Sequence, residues 1–272
     1  MSVSRPEESP PPGPKHPLGR MFAIGIVASL IGVAIALAID WFPVNAAGST
    51  KDIDTLYDVL MIVSVPIFVL VMTIVIYSVT RFRARPGDTG DGAPIHGNTR
   101  LEVIWVAIPT LIVSVLAAYA WIVLDDVEAK QPNELRVVVT GQQFAWRFEY
   151  PEFDDLKTNQ LYLPKDRPVK FDVKSDDVLH SFWVPSFRLK IDAVPGLTTF
   201  IRLTPSRPGK YDIVCAELCG IGHSTMRQYA TVVEEQEFED WVTEQQQGAE
   251  DAATQGGGNT MPDAGSPEGG SA

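Results

Sequence analysis

Three stretches of this chain carry no charged residue: Met21 to Ile39, Val59 to Thr80 and Val103 to Leu124, of 19, 22 and 22 residues. A helix rising about 1.5 Å per residue covers a hydrocarbon core of about 30 Å over lengths of this order. A core helix of a soluble domain would show a polar face, whereas the second and third stretches carry only scattered Ser, Thr and Tyr. They predict a transmembrane hairpin over residues 51–126, with helices at about 59–80 and 103–124. Pro66 and Pro109 fall inside these helices, where neighbouring helices and local backbone adjustment satisfy the freed carbonyls. The first stretch has two readings. Lys15 and Arg20 precede it, and Val44 and Ala46 in "VNAAG" stand at the small-residue spacing of a signal-peptidase site, so residues 21–47 are either a signal peptide or an additional transmembrane helix.

Past Glu128 the apolar period changes from helical to two. In "VKFDVK" Val169, Phe171 and Val173 alternate with Lys170, Asp172 and Lys174, the pattern of a half-buried strand. Leu135–Thr140, Phe144–Tyr150, Thr199–Thr204, Lys210–Val214 and Gln228–Val233 read similarly, and "PKDRP", "PG" and "PSRPGK" punctuate them as turns. Residues 128–245 are therefore expected to be an all-β sandwich or barrel, ending in a short helix on which Phe238, Trp241 and Val242 share a face. Residues 1–20, rich in proline, and 246–272, rich in glycine and acid, bury too little apolar surface to order themselves. No internal repeat is evident.

The net charge of −12 changes the picture less than it promises. Val232 to Ala272 holds ten acidic residues and no Lys or Arg, which leaves 24 acidic against 22 basic residues elsewhere. A nearly neutral body lacks the basic surface that phosphate neutralisation requires, so nucleic acid is excluded as a partner. The placement of the arginines says more. Arg81, Arg83, Arg85 and Arg100 lie in the hairpin loop, which the positive-inside rule puts in the cytoplasm, and everything after Leu124 then lies outside.

Into the twelve residues "CAELCGIGHSTM" the chain puts both of its cysteines, one of four histidines and one of six methionines. Cys215 closes one predicted strand and Met226 stands just before the next, so the stretch is a loop held at both ends by sheet. His180 lies in "DDVLHSFWVPS", read as a second loop. A disulfide suits one pair of cysteines outside the cytoplasm. Structural zinc suits Cys215, Cys219, His223 and His180. His223 and Met226 as ordinary packing residues is the third alternative. Ligand softness favours a fourth: thiolate, imidazole and thioether together are a copper electron-transfer set. Two thiolates, two imidazoles, one thioether and a backbone carbonyl make a donor set for two coppers bridged by both sulfurs.

These residues resemble subunit II of the haem-copper cytochrome c oxidases. "CAELCGIGHSTM" matches that family's C-x-E-x-C-x3-H-x2-M loop, "DDVLHSFWVPSFRLKIDAVPG" is similar to the segment supplying the other histidine, and "LEVIWVAIPT" to the start of its second helix. The resemblance covers roughly residues 50 to 240 in the same order and implies a cupredoxin-like Greek-key fold outside the membrane. It implies a binuclear CuA centre in which Cys215 and Cys219 bridge two coppers, with His180 and His223 binding through ring nitrogens, Met226 through sulfur and Glu217 through its main-chain oxygen. The Glu217 carboxylate would bind magnesium or manganese shared with subunit I. Glu102 is either a favourable helix-start carboxylate or, as the family implies, the mouth of a proton path. "GQQFAWRFEY" is similar to the aromatic stretch that receives electrons, with Trp146 retained and Phe144 where many members carry tryptophan; plain packing is the alternative for both. Asp154, Asp155, Asp176 and Asp177 either steer a basic cytochrome or are simply solvated.

The implied protein is a multi-pass subunit of the prokaryotic plasma membrane, with its C-terminal domain on the extracytoplasmic side. It would take electrons from cytochrome c and pass them to haem in subunit I, where oxygen is reduced and protons are pumped, in a complex with subunits I and III. The chain alone would perform no oxygen chemistry. A quinol-oxidase subunit II shares the fold but lacks the copper ligands, and a copper carrier would favour exposed, few ligands.

Overall fold

The computed structural model describes residues 18–83, 86–87 and 96–256. Its helices are α1 (Leu18–Ala38), α2 (Thr50–Arg81), α3 (Thr99–Glu128) and α4 (Glu235–Gly256). The first three are long and apolar enough to cross a membrane. Residues 1–17 and 257–272, most of the two expected disordered ends, lie outside the described residues, as does Arg85 of the hairpin loop.

The two hairpin helices run beyond the uncharged stretches that predict them. At 32 residues α2 extends for about 48 Å; its added first turns hold Lys51, Asp52, Asp54 and Asp58. Asn98 opens α3: its Oδ1 accepts a hydrogen bond from Leu101 N at 3.2 Å, while Glu102 Oε1 accepts one from Asn98 N at 3.3 Å. This reciprocal arrangement satisfies two of the amides that a helix start leaves unpaired.

Ten strands form the second unit: β1 (Leu135–Gln142), β2 (Ala145–Tyr150), β3 (Leu156–Thr158), β4 (Leu161–Pro164), β5 (Val169–Ser175), β6 (His180–Val184), β7 (Leu189–Ala193), β8 (Thr199–Leu203), β9 (Gly209–Cys215) and β10 (Arg227–Val233). They make two five-stranded sheets, ordered β3-β2-β1-β5-β8 and β4-β10-β9-β6-β7. The β1–β5 and β4–β10 pairs are parallel and the others antiparallel. The alternation read in β5 is realised, with Val169, Phe171 and Val173 fully buried between the sheets. Asp172, on the outer side, is also buried, because Arg136 Nε and Lys170 Nζ cover it at 2.6 and 2.7 Å.

The expected short C-terminal helix is α4, and it continues through Gly256, so residues 246–256 of the expected tail are helical. Phe238, Trp241 and Val242 are the buried face; Trp241 stacks on Tyr162 with ring centres 4.5 Å apart. Ala, Gln and Glu beyond Val242 propagate a helix well without a further apolar face.

Arg188 ties the start of α2 and the segment before it to the sandwich. In a left-handed conformation (φ 62°) after the turn Pro185–Phe187, it directs Nε and Nη2 to the two carboxylate oxygens of Asp54 at 2.7 and 3.1 Å. It also donates to Pro185 O and Pro43 O, and its guanidinium lies 4.7 Å from the Phe42 ring centre. Its side chain is 5% exposed. Arg188→Ala leaves the partly exposed Asp54 carboxylate and the Pro43 and Pro185 carbonyls without this donor, so unfolding stability is expected to fall by about 1–3 kcal/mol, read as the thermal or denaturant midpoint of the detergent-solubilised protein.

Candidate metal centre

β9 and β10 are antiparallel neighbours, with Val214 paired to Arg227. Cys215 ends β9, Met226 immediately precedes β10, and Cys215 N donates to Met226 O at 3.2 Å. The intervening ten residues must fold back at the end of the sheet, and Gly220, at φ 136°, makes the bend that a side chain would strain. His180 is the first residue of β6, not part of a loop as expected. It sits in the core because β6 pairs with β9, setting Phe182 opposite Cys215.

The ligand atoms converge. Cys215 Sγ and Cys219 Sγ are 3.9 Å apart, far beyond the roughly 2.05 Å of a disulfide, and both cysteines are free. Each sulfur has an imidazole nitrogen beside it: His180 Nδ1 lies 3.9 Å from Cys215 Sγ, and His223 Nδ1 lies 3.7 Å from Cys219 Sγ. Met226 Sδ stands 3.8 Å from Cys219 Sγ, and the Glu217 carbonyl oxygen 3.2 Å from Cys215 Sγ. Met226 and His180 are fully buried, Cys215 and Cys219 nearly so, and His223 is half-buried. His180, Cys215 and Cys219 alone place their ligand atoms within 4.8 Å of one another. The donor chemistry fits a soft metal pair better than one zinc, because a thioether is a poor zinc ligand and both sulfurs are flanked alike. Burial, and secondly the neighbouring Cys215, push the Cys219 thiol up to about 11. Binding a metal there must displace its proton.

Residues outside the ligand set position it. His180 Nε2 lies 2.8 Å from Asp177 Oδ1, which directs the opposite nitrogen, Nδ1, at the sulfurs. Burial would raise the Asp177 carboxyl, but hydrogen bonds from Gln143 N, His180 and Val178 N outweigh it and hold the group at about 2. Gln143 also donates from Nε2 to Cys219 O at 2.5 Å, so this residue fastens the His180 segment and the ligand loop together. Gly141, on β1, lets His180 and Trp146 approach the backbone; a Cβ there would stand 2.9 Å from His180 Cδ2. Of these three only Asp177 was singled out in the sequence, for its charge, and that carboxylate is occupied locally. A glycine inside a strand pattern is a signal for Gly141.

Asp177→Ala should leave the fold intact and weaken metal affinity about 10- to 100-fold, measured by competition with a chelator. The Asp177 contribution is complete above its ordinary value of 3.8 and is lost as pH falls from there through about 2. Asp177→Ala should therefore differ from the parent in the pH dependence of metal binding only below about pH 4.

Trp146 is buried, 2% exposed, and meets His180 edge-on with ring centres 6.0 Å apart. Phe144 is half-buried against the ligand loop, since a Cβ on Gly222 would come within 2.5 Å of its ring. Phe144 is thus the more accessible of the two aromatics. The Glu217 side chain is exposed and joins no cluster of metal-ligating groups among the described residues. Glu102 caps α3. Asp176 pairs with Arg147.

Two family descriptions match the chain: "Cytochrome C oxidase subunit II, transmembrane domain" over residues 32–123, and "Cytochrome C oxidase subunit II, periplasmic domain" over residues 157–234. Cytochrome c oxidase subunit 2 of Synechocystis sp. is 32% identical over 80% of this chain and 81% of its own length. The subunit of the same name from Thermostichus vulcanus is 31% identical over 82% of this chain and 84% of its own. A solved periplasmic domain of subunit II of cytochrome oxidase from Bradyrhizobium japonicum is 28% identical, covers 43% of this chain and 96% of that one, and has a TM-score of 0.42. On the two family matches and the extent of its likeness to these relatives, the chain belongs to the cytochrome c oxidase subunit II family, as a membrane protein with an extracytoplasmic β-domain.

Proposed function

We propose that this chain is the electron-accepting subunit of a respiratory cytochrome c oxidase, taking electrons from cytochrome c and delivering them to haem in subunit I, where oxygen reduction drives proton pumping. The observation that carries the reading is the convergence of Cys215, Cys219, His180, His223, Met226 and the Glu217 carbonyl at one end of a rigid sandwich. Copper held by this set would supply a one-electron carrier, and two ions sharing the electron would spread the change in bond lengths that accompanies reduction. The chain's own residues do the rest. The β9–β10 and β6–β9 pairings hold the ligands at fixed separation. Trp146 and Phe182, in edge contact at 5.4 Å, seal the site from the core side. His223, half-buried, is the ligand side chain nearest solvent.

The Glu217 carboxylate, exposed beside the site, would hold a magnesium or manganese ion with ligands from subunit I. Phe144 and Trp146 would form the electron-uptake side, and Glu102, besides capping α3, the mouth of a proton path. Residues 51–126 act as the membrane hairpin and 128–245 as the CuA domain.

The test is to purify the full chain with its complex from membranes, count copper and record the electron paramagnetic resonance spectrum. Two coppers per chain sharing one unpaired spin are expected. One copper with ordinary four-line splitting, or zinc in its place, would overturn the reading, and a preparation free of any haem-containing subunit would point to a copper carrier.

A further inference from the structure

We infer that α1 is a permanent third transmembrane helix and that the Ala46–Ala47 bond stays uncut in the mature protein. Two separate parts of the structure, neither of them involving the metal ligands, bear on residues 21–47.

The first part is the segment after α1. The bond that the small-residue spacing offers to a signal peptidase lies between two of the most buried residues in the chain: Ala46 is 0% and Ala47 1% exposed. Ala47 bridges Pro205, Ala46 N donates to Ser186 O at 3.1 Å, Ser206 N donates to Ala46 O at 2.9 Å, and Gly48 N donates to Thr204 O at 2.9 Å. The segment is therefore a built-in piece of the sandwich. Cutting after Ala46 would create an ammonium group on a residue with almost no access to water, and a buried unpaired charge is among the least tolerable defects a core can hold. It would also remove Pro43 O and the Phe42 ring from Arg188, and leave the Ser186 carbonyl and Ser206 amide without their partner.

The second part lies within the membrane unit. Gly25, Ser29, Gly32 and Ala36 recur along one face of α1, and this face meets α2. A Cβ on Gly32 would stand 2.8 Å from Val65 Cγ1, a separation that real side chains do not reach, and a Cβ on Gly25 would stand 3.8 Å from Thr73 Oγ1. Ser29 returns its hydroxyl to Gly25 O at 2.8 Å, and Ala36 is 5% exposed. Small residues that bring backbones together are how transmembrane helices associate without a hydrophobic driving force between them. A signal sequence needs only a short apolar run with no preferred face. Retention puts the start of α1 in the cytoplasm, where Lys15 and Arg20 belong by the positive-inside rule.

The full chain, purified from membranes and digested with trypsin, should yield the uncut peptide Met21–Lys51, read by mass spectrometry. A peptide beginning at Ala47 as the main product would overturn the inference. Ala46→Leu supplies a second readout, because leucine at this position blocks a signal peptidase. If α1 is retained, the variant and the parent migrate at the same length, and the variant melts lower because the site has no room. A variant longer than the parent by the first 46 residues would show that the parent is processed.

Discussion

Replacing Cys219 by serine is expected to destroy the paired centre: copper should fall from two per chain to one or none, the shared-spin resonance should vanish, and electron uptake from cytochrome c should drop to background. Cys219 Sγ is the hub of the arrangement, within 3.7 to 3.9 Å of His223 Nδ1, Met226 Sδ and Cys215 Sγ. A serine hydroxyl is a hard, weakly acidic donor and does not bridge soft ions. Cysteine and serine have nearly the same shape, so the buried loop should still close and the protein should remain folded. That separates the metal reading from the disulfide reading. Were the two sulfurs joined, the variant would lose the stability a cross-link confers, about 2 kcal/mol for so short a loop, with no change in metal content. Loading of the parent should strengthen as pH rises, since a thiol lifted to about 11 by burial and by Cys215 must give up its proton to a metal.

The parts of this protein legible in its sequence are those governed by local rules. Uncharged runs announce α2 and α3, and period two announces β5, because each follows from one element facing one solvent. β6 escapes the same rule: His180, Ser181, Phe182 and Val184 are all buried, so no alternation marks it, and flanking aspartates and a proline make it resemble a loop. β3 and β4, at three and four residues, are too short to show any period. The ligand loop is legible because five of the site's six donors lie within twelve residues of chain. What positions them is not. Gln143 reaches Asp177 and Cys219 across 34 and 76 residues, and no spacing rule connects segments that only the fold brings together. The chemistry of the site is thus written locally, while its geometry depends on the pairing of β1, β6 and β9.

Gly141→Val tests that dependence. Gly141 lies in β1, paired with Trp146 on one side and Ser175 on the other, and its carbonyl accepts from Asp176 N at 3.1 Å, so the backbone cannot retreat. The first atom of any side chain there would stand 2.9 and 3.2 Å from His180 Cδ2 and Cγ, and 3.1 Å from Trp146 Cζ3. Neither neighbour is the free end of a flexible chain: the imidazole is held by Asp177 and the indole is packed against Phe182. Overpacking of this kind costs about 1–3 kcal/mol when the core can shift. The side chain with most reason to shift is His180, whose displacement moves Nδ1 off its line to the sulfurs. The expected result is a folded protein with copper affinity lowered by at least as much as in Asp177→Ala, about 10- to 100-fold, and an altered resonance, with Gly141→Ala intermediate. Gly48→Ala, where the nearest atom, Thr204 O, would be 3.8 Å from the new Cβ, is the control and should bind copper as the parent does. If Gly141→Val takes up two coppers with unchanged affinity and spectrum, His180 is not held against β1, and the site is positioned by the ligand loop alone.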